Sequence, residues 1–472
     1  MSLFTLGAVS VALAWLPMGL VDLYNRRKYC RAGVERKRFS SASVGPGLPR
    51  DGAWLYKLGD AQRTGWTNRT APRRLSPRWS FRTVGVTYSA PLVDQLGNVY
   101  IVTTTGEVWS LDPNSDTRWF YQLHAGGKDA QIWNETLFVS DDSGFGYAIS
   151  TASGQPLWVR RVAQRSSGGH HGVLVGQGLA IFHEHIGDTG WTLDADFIAC
   201  DAATGAERWR SKDGLPFFNV LPAFADEGSA IVYTDMDGGI HKMATETGAK
   251  LWSSPGYPFP LTIEANWHGD FGGAPRGHGA LALVHDGVAY SSGNPTRYSG
   301  RVRAHRLDTG EVLWSTDVAH MMGNAAAIAD IDGVRTLVFG TGVTILQPIP
   351  ESHEPYRGTV YGLDARTGAV RWTYEAEPWH WFLAAGSVTY KGCPQWNLPD
   401  AFSAPSIDGS GAVYIGWHGG ILYALDGRDG SLLSQFDLGE GMQSAPAIGP
   451  HGELVATAAT TTYSFWPGDE TR

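Results

Sequence analysis

Cysteine and charged residues are both scarce in this sequence. Its 472 residues include three cysteines, Cys30, Cys200 and Cys393, and none stands in a CxxC pair. An odd number of distant cysteines excludes a disulfide framework and the usual zinc spacing. Charged residues make up 18% of the chain, too few for a long coiled coil or a disordered polyelectrolyte. The motifs GxSxG, GxGxxG, GxxxxGK[ST] and HExxH are also absent, which removes the common hydrolase, nucleotide-binding and zinc-protease signatures.

Glycine and tryptophan, by contrast, are abundant. The chain contains 60 Gly and 19 Trp, and 43% of its residues are hydrophobic. This composition is typical of many short strands joined by tight turns. Charge is divided unevenly: residues 26–82 hold 15 basic and three acidic residues, whereas residues 83–472 hold 22 basic and 42 acidic ones. The acidic body argues against nucleic acid as a partner, because nonspecific binding needs a basic surface.

The N-terminus predicts a membrane anchor. Residues 1–21 carry no charged side chain and are long enough to span a bilayer as a helix. We therefore expect a single-pass anchor over residues 1–25 and a basic neck or linker over 26–75, with residues 26–38 beside anionic lipid. A cleaved signal peptide or an organellar presequence is the alternative.

The charges that flank the anchor predict its orientation. No basic residue precedes the apolar run, and several follow it between residues 26 and 38. The positive-inside rule places the body on the cytoplasmic-equivalent side of the membrane. A periplasmic or lumenal body is the alternative, which the glycosylation triplets that begin at Asn68 and Asn134 favour.

One short pattern, D-x-x-T-G-x-x-x-W, recurs through the body. Clear copies end at Trp209 and Trp372, looser copies end at Trp158, Trp252 and Trp314, and degenerate ones end at Trp119 and Ser434. The Asp and Thr-Gly residues favour a tight turn between two strands. The tryptophan that follows supplies a large flat side chain to pack between neighbouring sheets.

Counting the strands that carry this tryptophan predicts the architecture. Adding Trp79 to the positions above makes eight strands. We expect an all-β fold: an eight-bladed β-propeller of four-stranded antiparallel blades over residues 76–472, preceded by the transmembrane helix. The first such strand has no partners before it, and the last unit lacks its own fourth strand. The strand near residues 76–82 should therefore close the last blade with residues 444–466.

These repeats resemble the PQQ repeat of the quinoprotein-alcohol-dehydrogenase-like family of eight-bladed propellers. The segment Trp54–Gly65 resembles the opening motif of that family. The family includes dehydrogenases that use pyrroloquinoline quinone (PQQ), which carry an adjacent-cysteine disulfide and acidic and asparagine calcium ligands. It also includes non-enzymatic scaffolds. This chain has no Cys-Cys pair and no motif that matches the calcium ligands, so it resembles the non-catalytic members more closely.

Four long insertions all fall on one face of the predicted disc. Residues 253–277 and 376–401 join strand D of one blade to strand A of the next, and residues 186–195 and 345–357 join strands B and C. Long loops in a compact fold are usually functional. Aromatic side chains near this face are the candidates for binding a protein partner: Trp267, Trp379, Trp381, Phe382 and Trp396. Packing of the loops on one another is the alternative.

Histidines gather on the same face. His170, His183, His185 and His278 are placed around the predicted central funnel, where converging imidazoles can bind a transition metal. The alternative is that they are polar loop residues that hydrogen-bond to backbone.

Three functions follow from these patterns. The first is a membrane-anchored scaffold, or an accessory or assembly subunit, which binds a protein through the face that carries the four insertions and needs no cofactor. The second is an oxidoreductase dependent on PQQ or a metal, with its site in the His-rich funnel. The third is a ligand-sensing domain.

Overall fold

The computed structural model describes most of the chain beyond residue 51. The described residues are 35–39, 52–166, 172–185, 194–211, 215–216, 220–235, 238–256, 282–296, 299–342, 355–380, 384–386, 389–390, 393–394 and 401–469. None of them belongs to a helix long and apolar enough to cross a membrane, and the predicted anchor, residues 1–25, lies outside them.

The first half of the chain builds four blades, each a four-stranded antiparallel sheet whose strands A to D run from the axis to the rim. Two earlier strands, β1 (Glu35–Arg38) and β2 (Pro77–Arg82), belong to the last blade. Blades one to four contain β3 (Leu92–Val93), β4 (Val99–Val102), β5 (Glu107–Leu111) and β6 (Thr117–Gln122); β7 (Gln131–Trp133), β8 (Thr136–Ser140), β9 (Phe145–Ser150) and β10 (Pro156–Arg161); β11 (Leu174–Gly176), β12 (Leu179–His185), β13 (Asp194–Asp201) and β14 (Glu207–Arg210), with β15 (Leu215–Pro216) beside β13; and β16 (Ala223–Ala225), β17 (Ala230–Thr234), β18 (Ile240–Ala244) and β19 (Lys250–Ser254).

The second half completes the ring. A short 3-10 turn, Asp226–Gly228, lies between β16 and β17, and the hairpin of β28 (Thr389–Tyr390) and β29 (Cys393–Pro394) stands apart from the blades. Blades five to eight contain β20 (Ala282–His285), β21 (Val288–Thr296), β22 (Ser299–Arg306) and β23 (Val312–Ala319); β24 (Ala327–Ile331), β25 (Val334–Gly342), β26 (Gly358–Asp364) and β27 (Val370–Glu375); β30 (Ser406–Ile407), β31 (Ala412–Gly416), β32 (Ile421–Asp426) and β33 (Leu432–Asp437); and β34 (Ala447–Ile448), β35 (Leu454–Thr457) and β36 (Thr461–Phe465) with β2.

The eighth blade joins the two ends of the propeller. Strand β2 pairs with β36 in an antiparallel register that sets Trp79 opposite Ser464. The eight-bladed, four-stranded antiparallel architecture is therefore as predicted. An additional strand, β1, pairs with the outer edge of β2, so this blade has five strands.

The repeated tryptophan connects each blade to the next. Its indole Nε1 donates a hydrogen bond to a carbonyl oxygen in the C-to-D turn of the following blade, a contact that contributes about 1 kcal/mol beyond the burial of the ring. Seven junctions share this bond: Trp79 to Pro113 (3.1 Å), Trp119 to Thr151 (2.8 Å), Trp158 to Ala202 (2.9 Å), Trp209 to Thr245 (2.9 Å), Trp252 to Leu307 (3.0 Å), Trp314 to Ala365 (3.0 Å) and Trp372 to Gly427 (2.8 Å).

The eighth junction uses a different contact. Ser434 replaces the tryptophan, and its Oγ donates to the carbonyl oxygen of Arg73 at 2.6 Å and accepts from the amide of Leu75 at 3.1 Å. A segment from before the first blade thus fills the place that the indole occupies elsewhere.

That segment is not a linker. We predicted a neck over residues 26–75 from its charge, yet Trp54, Leu58, Ala71 and Leu75 are all buried in the hydrophobic cores. Residues 54–67, which we call the plug, run across the inner strands and hydrogen-bond to them. Backbone bonds join Trp54 to Val93, Leu55 to Ile132, Ala61 to Phe224, Gln62 to Val284, Thr64 to Ile328 and Gly65 to Ile407, and the Tyr56 hydroxyl donates to the Val175 carbonyl. The plug therefore contacts strand A of seven consecutive blades.

Candidate functional site

The plug distinguishes the two faces of the disc. It bonds to Val93 and Ile407, which are the last residues of their A strands, so it lies on the side of the A-to-B turns. We call this side the turn face. The D-to-A and B-to-C connections, which carry the insertions, form the opposite side, and we call it the insert-bearing face.

Buried charges join the plug to the inner strands. Lys57 Nζ lies 3.0 Å from Asp129 Oδ2, with side chains only 4% and 2% exposed. Asp129 also accepts a hydrogen bond from the amide of Ala90 at 3.0 Å. This buried ion pair fixes the plug against the inner strands. Moving the plug away would separate the two partners and leave each buried charge without compensation.

Arg63 extends from the plug toward the insert-bearing face. Its Nη1 donates to the Lys57 carbonyl at 2.8 Å, and its Nε donates to the carbonyl of Pro222, just before strand A of the fourth blade, at 3.1 Å. Burial lowers the pKa of the guanidinium to about 10, although Asp129, Tyr56 and Asp60 act in the opposite direction and raise it. Its Nη2 finds no hydrogen-bond acceptor among the described residues. The sequence did not indicate Arg63 as a site residue because residues 26–75 were predicted to be a linker.

His183 is the one predicted metal ligand whose side chain the structure describes. It is buried, and its ring lies 4.7 Å from that of Phe197. Burial, and then the charge of Arg63, lower its pKa to about 3, so the imidazole is neutral near pH 7. His185 is described in its backbone alone, and His170 and His278 lie outside the described residues, so this metal site stays a prediction.

The insertion of the sixth blade is held at its base. The amides and carbonyls of Tyr356 and Trp379 exchange two hydrogen bonds, at 2.7 and 2.9 Å, which tie the B-to-C insertion to the D-to-A insertion. Trp379 is half-buried, and its ring lies 6.5 Å from that of His418. His418 is buried and stacks on Trp417, with ring centroids 4.2 Å apart.

Trp379 therefore packs partly on its neighbours and presents the rest of its surface to solvent. The other candidates for partner binding, Trp267, Trp381, Phe382 and Trp396, lie outside the described residues. Their role stays a prediction.

Comparison with known proteins identifies the family. The family model described as "Outer membrane protein assembly factor BamB" matches residues 147–345 and 264–457, which together make up well over half of the chain. The chain belongs to this family. Outer membrane protein assembly factor BamB of Yersinia pestis is 21% identical over 385 residues, a match that spans 76% of this chain and 88% of that protein.

Enzymes share the fold of this BamB-family chain. Tetrathionate hydrolase of Acidithiobacillus ferrooxidans is 21% identical over 317 residues, which cover 65% of this chain and 52% of the hydrolase, so the match spans about half the length of that enzyme. The quinohemoprotein alcohol dehydrogenase of Comamonas testosteroni superposes with a TM-score of 0.65 at 12% identity, over 88% of this chain and 80% of that one. At this identity the superposition shows the fold alone.

Side chains that could bind a metal ion do not come together among the described residues. In the part of the chain that the structure describes, no three His, Cys, Asp or Glu side chains are grouped to hold a metal ion. Cys200 is a buried free thiol whose pKa burial raises to about 12, so it forms no thiolate near pH 7. Arg63 Nη2 is a buried donor, and no group of metal ligands accompanies it among the residues that the structure describes.

Proposed function

We propose that this chain is a membrane-anchored propeller that acts as a protein-interaction scaffold, or as an accessory or assembly subunit, and that it binds its partner through the insert-bearing face. Membership in the BamB family supports an assembly role. The observation that carries the choice of face is the base of the sixth-blade insertion.

That base is held by contacts within the chain itself. Two backbone hydrogen bonds tie Tyr356 to Trp379, and the Trp379 ring lies close to the buried His418. A loop held in this way loses little conformational freedom on binding, so more of the contact energy remains as affinity. On the turn face, by contrast, strands β20 and β21 and strands β24 and β25 are joined by two residues each, Asp286-Gly287 and Asp332-Gly333.

A pair of tryptophans on opposite faces tests the proposal. Trp379→Ala removes an aromatic side chain from the insert-bearing face, and Trp66→Ala removes one that is 44% exposed on the turn face. Partner recovery after crosslinking from membranes should fall at least about 30-fold for Trp379→Ala, since an aromatic anchor typically carries about 2 kcal/mol or more of binding energy.

Trp66→Ala is the matched control and should recover the partner as well as the wild type does. Trp381→Ala and Phe382→Ala should behave like Trp379→Ala. Equal recovery with Trp379→Ala and the wild type, or selective loss with Trp66→Ala, would contradict the insert-bearing face as the docking surface. A thermal unfolding curve for each variant separates lost binding from lost folding.

The anchor and the side of the membrane are also part of the proposal. Arg36 and Arg38 of β1 contact Asp116 at 2.9 and 2.7 Å, so part of the basic segment is bound to the rim and not to lipid. The nine residues 26–34 that remain can reach at most about 30 Å. This tether would hold the rim of the eighth blade close to the bilayer.

Protease treatment of sealed vesicles checks the side. With the body on the cytoplasmic-equivalent side, protease added to that side should degrade the propeller, and protease on the other side should leave it intact. Glycan attachment at Asn68 or Asn134 would place the body in a lumen and contradict this orientation.

An oxidoreductase is the second candidate, favoured by one observation. Arg63 presents a buried guanidinium donor near the axis, where an anionic cofactor such as a quinone carboxylate could accept from it. An absorbance spectrum and metal analysis of the purified full chain distinguish the two candidates. A stoichiometric quinone or transition metal would support the enzyme and contradict a cofactor-free scaffold.

A further inference from the structure

The fourth blade contains an Asp–His–Ser chain of hydrogen bonds. His241 lies on strand C, and its Nε2 is 2.8 Å from Asp235 Oδ2 at the end of strand B. Its Nδ1 is 2.9 Å from the Oγ of Ser253 on strand D. The side chains of His241 and Asp235 are 6% and 8% exposed, whereas Ser253 is exposed to solvent.

The order of the three groups determines the tautomer of the imidazole. An ionised carboxylate only accepts hydrogen bonds, so Nε2 must carry the proton that Asp235 accepts. The lone pair of Nδ1 then faces Ser253, whose hydroxyl donates to it. A hydroxyl, a base within hydrogen-bond reach and a third group that orients the base are the signature of an activated nucleophile. The two ring nitrogens have the opposite assignment from the one in chymotrypsin-like triads.

Surrounding contacts hold the chain of groups in place. The amide of Gly239 donates to Asp235 Oδ1 at 2.7 Å, and the His241 ring stacks on Tyr233 with centroids 5.1 Å apart. Arg303, from the fifth blade, donates to the carbonyls of Gly238 and Pro255, which lie beside Asp235 and Ser253 respectively. These bonds fix the positions of Asp235 and Ser253 relative to each other.

The other blades show what the repeat places at these positions. In the second blade the Tyr147 hydroxyl takes the place of the imidazole and donates to Asp141 at 2.6 Å, and Val159 stands opposite it on strand D. His241 pairs with the residue that follows the repeat tryptophan on strand D, and the structure describes this strand-C position in all eight blades. It is histidine in the fourth blade alone. The other blades have Trp109, Tyr147, Ile198, Arg303, Tyr361, Tyr423 and Tyr463. Serine also stands on strand D in the fifth and eighth blades, where Ser315 faces Arg303 and Ser80 faces Tyr463. The histidine opposite the serine is therefore what distinguishes the fourth blade.

We propose that Ser253, His241 and Asp235 form an acyl-transfer site for small carboxylic esters at the rim of the fourth blade. The Ser253 Oγ bonds to the acyl carbon while its proton passes to His241 Nδ1. The ester C–O bond then breaks, and the departing alcohol oxygen takes the proton from Nδ1. Water repeats the sequence on the acyl-serine, releases a carboxylic acid and restores the hydroxyl. Asp235 is a positioning residue that holds the tautomer and orientation of the ring.

The sharpest test compares two serines at the same place in different blades. Ser253 and Ser315 are both exposed, and both follow the repeat tryptophan by one residue, but Ser315 stands opposite Arg303 and has no imidazole. The purified full chain should react with an alkyl fluorophosphonate probe at Ser253 and not at Ser315. Ser253→Ala should abolish labelling, and Ser315→Ala should leave it unchanged. An unlabelled wild type, or equal labelling of both serines, would overturn the proposal.

Three further variants test the roles with p-nitrophenyl acetate as substrate. His241→Gln should lower kcat by about 10²–10⁴-fold, the usual range for general acid–base catalysis. Asp235→Asn should lower kcat with KM unchanged, and Asp235→Glu should restore part of it, a split that a purely structural role would not produce. Turnover by His241→Gln at the wild-type rate, with its thermal unfolding also unchanged, would refute a catalytic imidazole.

Discussion

The contact between each tryptophan and the next blade can be tested with two glycines that differ in one respect. Gly310 and Gly333 have almost the same backbone conformation, with φ of +75° and +77°. A Cβ atom added to Gly310 would lie 2.6 Å from Cε3 of Trp252, whereas one added to Gly333 would meet no atom within 4 Å. Alanine at either position bears the strain of a left-handed conformation, and only at Gly310 does it also displace the indole.

The structure determines the size of the difference. The backbone strain destabilises either variant by about 1–2 kcal/mol. Forcing an extra methyl against a packed ring adds about 1–3 kcal/mol, and a shifted indole weakens the 3.0 Å bond from Trp252 Nε1 to the Leu307 carbonyl. We therefore expect Gly310→Ala to destabilise the protein by about 1–3 kcal/mol more than Gly333→Ala.

Urea unfolding followed by tryptophan fluorescence measures both losses, and a double-mutant cycle isolates the clash. In a Trp252→Ala background, Gly310→Ala should destabilise only by its backbone strain, since no ring remains to be displaced. Equal losses for Gly310→Ala and Gly333→Ala would refute the reasoning. So would a Gly310→Ala loss that is the same with and without Trp252.

Three more predictions concern the plug, the closing strand and a buried histidine. Deleting residues 1–82 removes the plug and β2 and should abolish cooperative unfolding, whereas deleting 1–50 should leave a folded propeller; calorimetric transitions of equal sharpness would exclude closure by β2. Asp129→Ala should lower the free energy of unfolding by about 3–5 kcal/mol because Lys57 is left buried without a partner. Asp116→Ala at the exposed rim should change the free energy of unfolding, measured with urea, by less than about 1 kcal/mol. Burial lowers the pKa of His418 from 6.5 to about 3, so the unfolded chain binds a proton that the folded one refuses and stability is lost as pH falls below about 6.5; His418→Phe should reduce this loss by about 1.4 kcal/mol per pH unit, and an unchanged pH profile would contradict it.

The blades were predictable because their defining contact is local in sequence and repeated. Each Asp-Thr-Gly turn and tryptophan form one strand pair, and the same turn receives the indole of the preceding blade. The pattern held even where a residue was lost. In the first blade Ser115 adopts a φ of +70° in the turn that lacks glycine, and at Ser434 the chain around Arg73 takes the place of the indole.

The plug and the Asp–His–Ser chain could not be predicted in the same way. The plug occurs once, so no periodicity marks it. Its one lysine and one arginine resemble those of a solvated linker until Asp129 and the carbonyl of Pro222 are seen beside them. Asp235, His241 and Ser253 lie on three successive strands. Their proximity depends on the register of two strand pairs, including an irregularity between Lys242 and Met243, which sequence spacing does not show.

The pairing of β2 with β36 also sets a waiting time on folding. About 380 residues separate the two strands, and at a synthesis rate of about 5–20 residues per second the first strand waits roughly 20–80 s for its partner. During that time one of its edges can already be covered by β1, whose Arg36, Lys37 and Arg38 place repelling charge on the outer side. The plug, too, is made before the blades it joins. A chain that stops just before residue 461 would thus form an open ring with the plug able to reach seven blades, and only the final strand would be needed to close it.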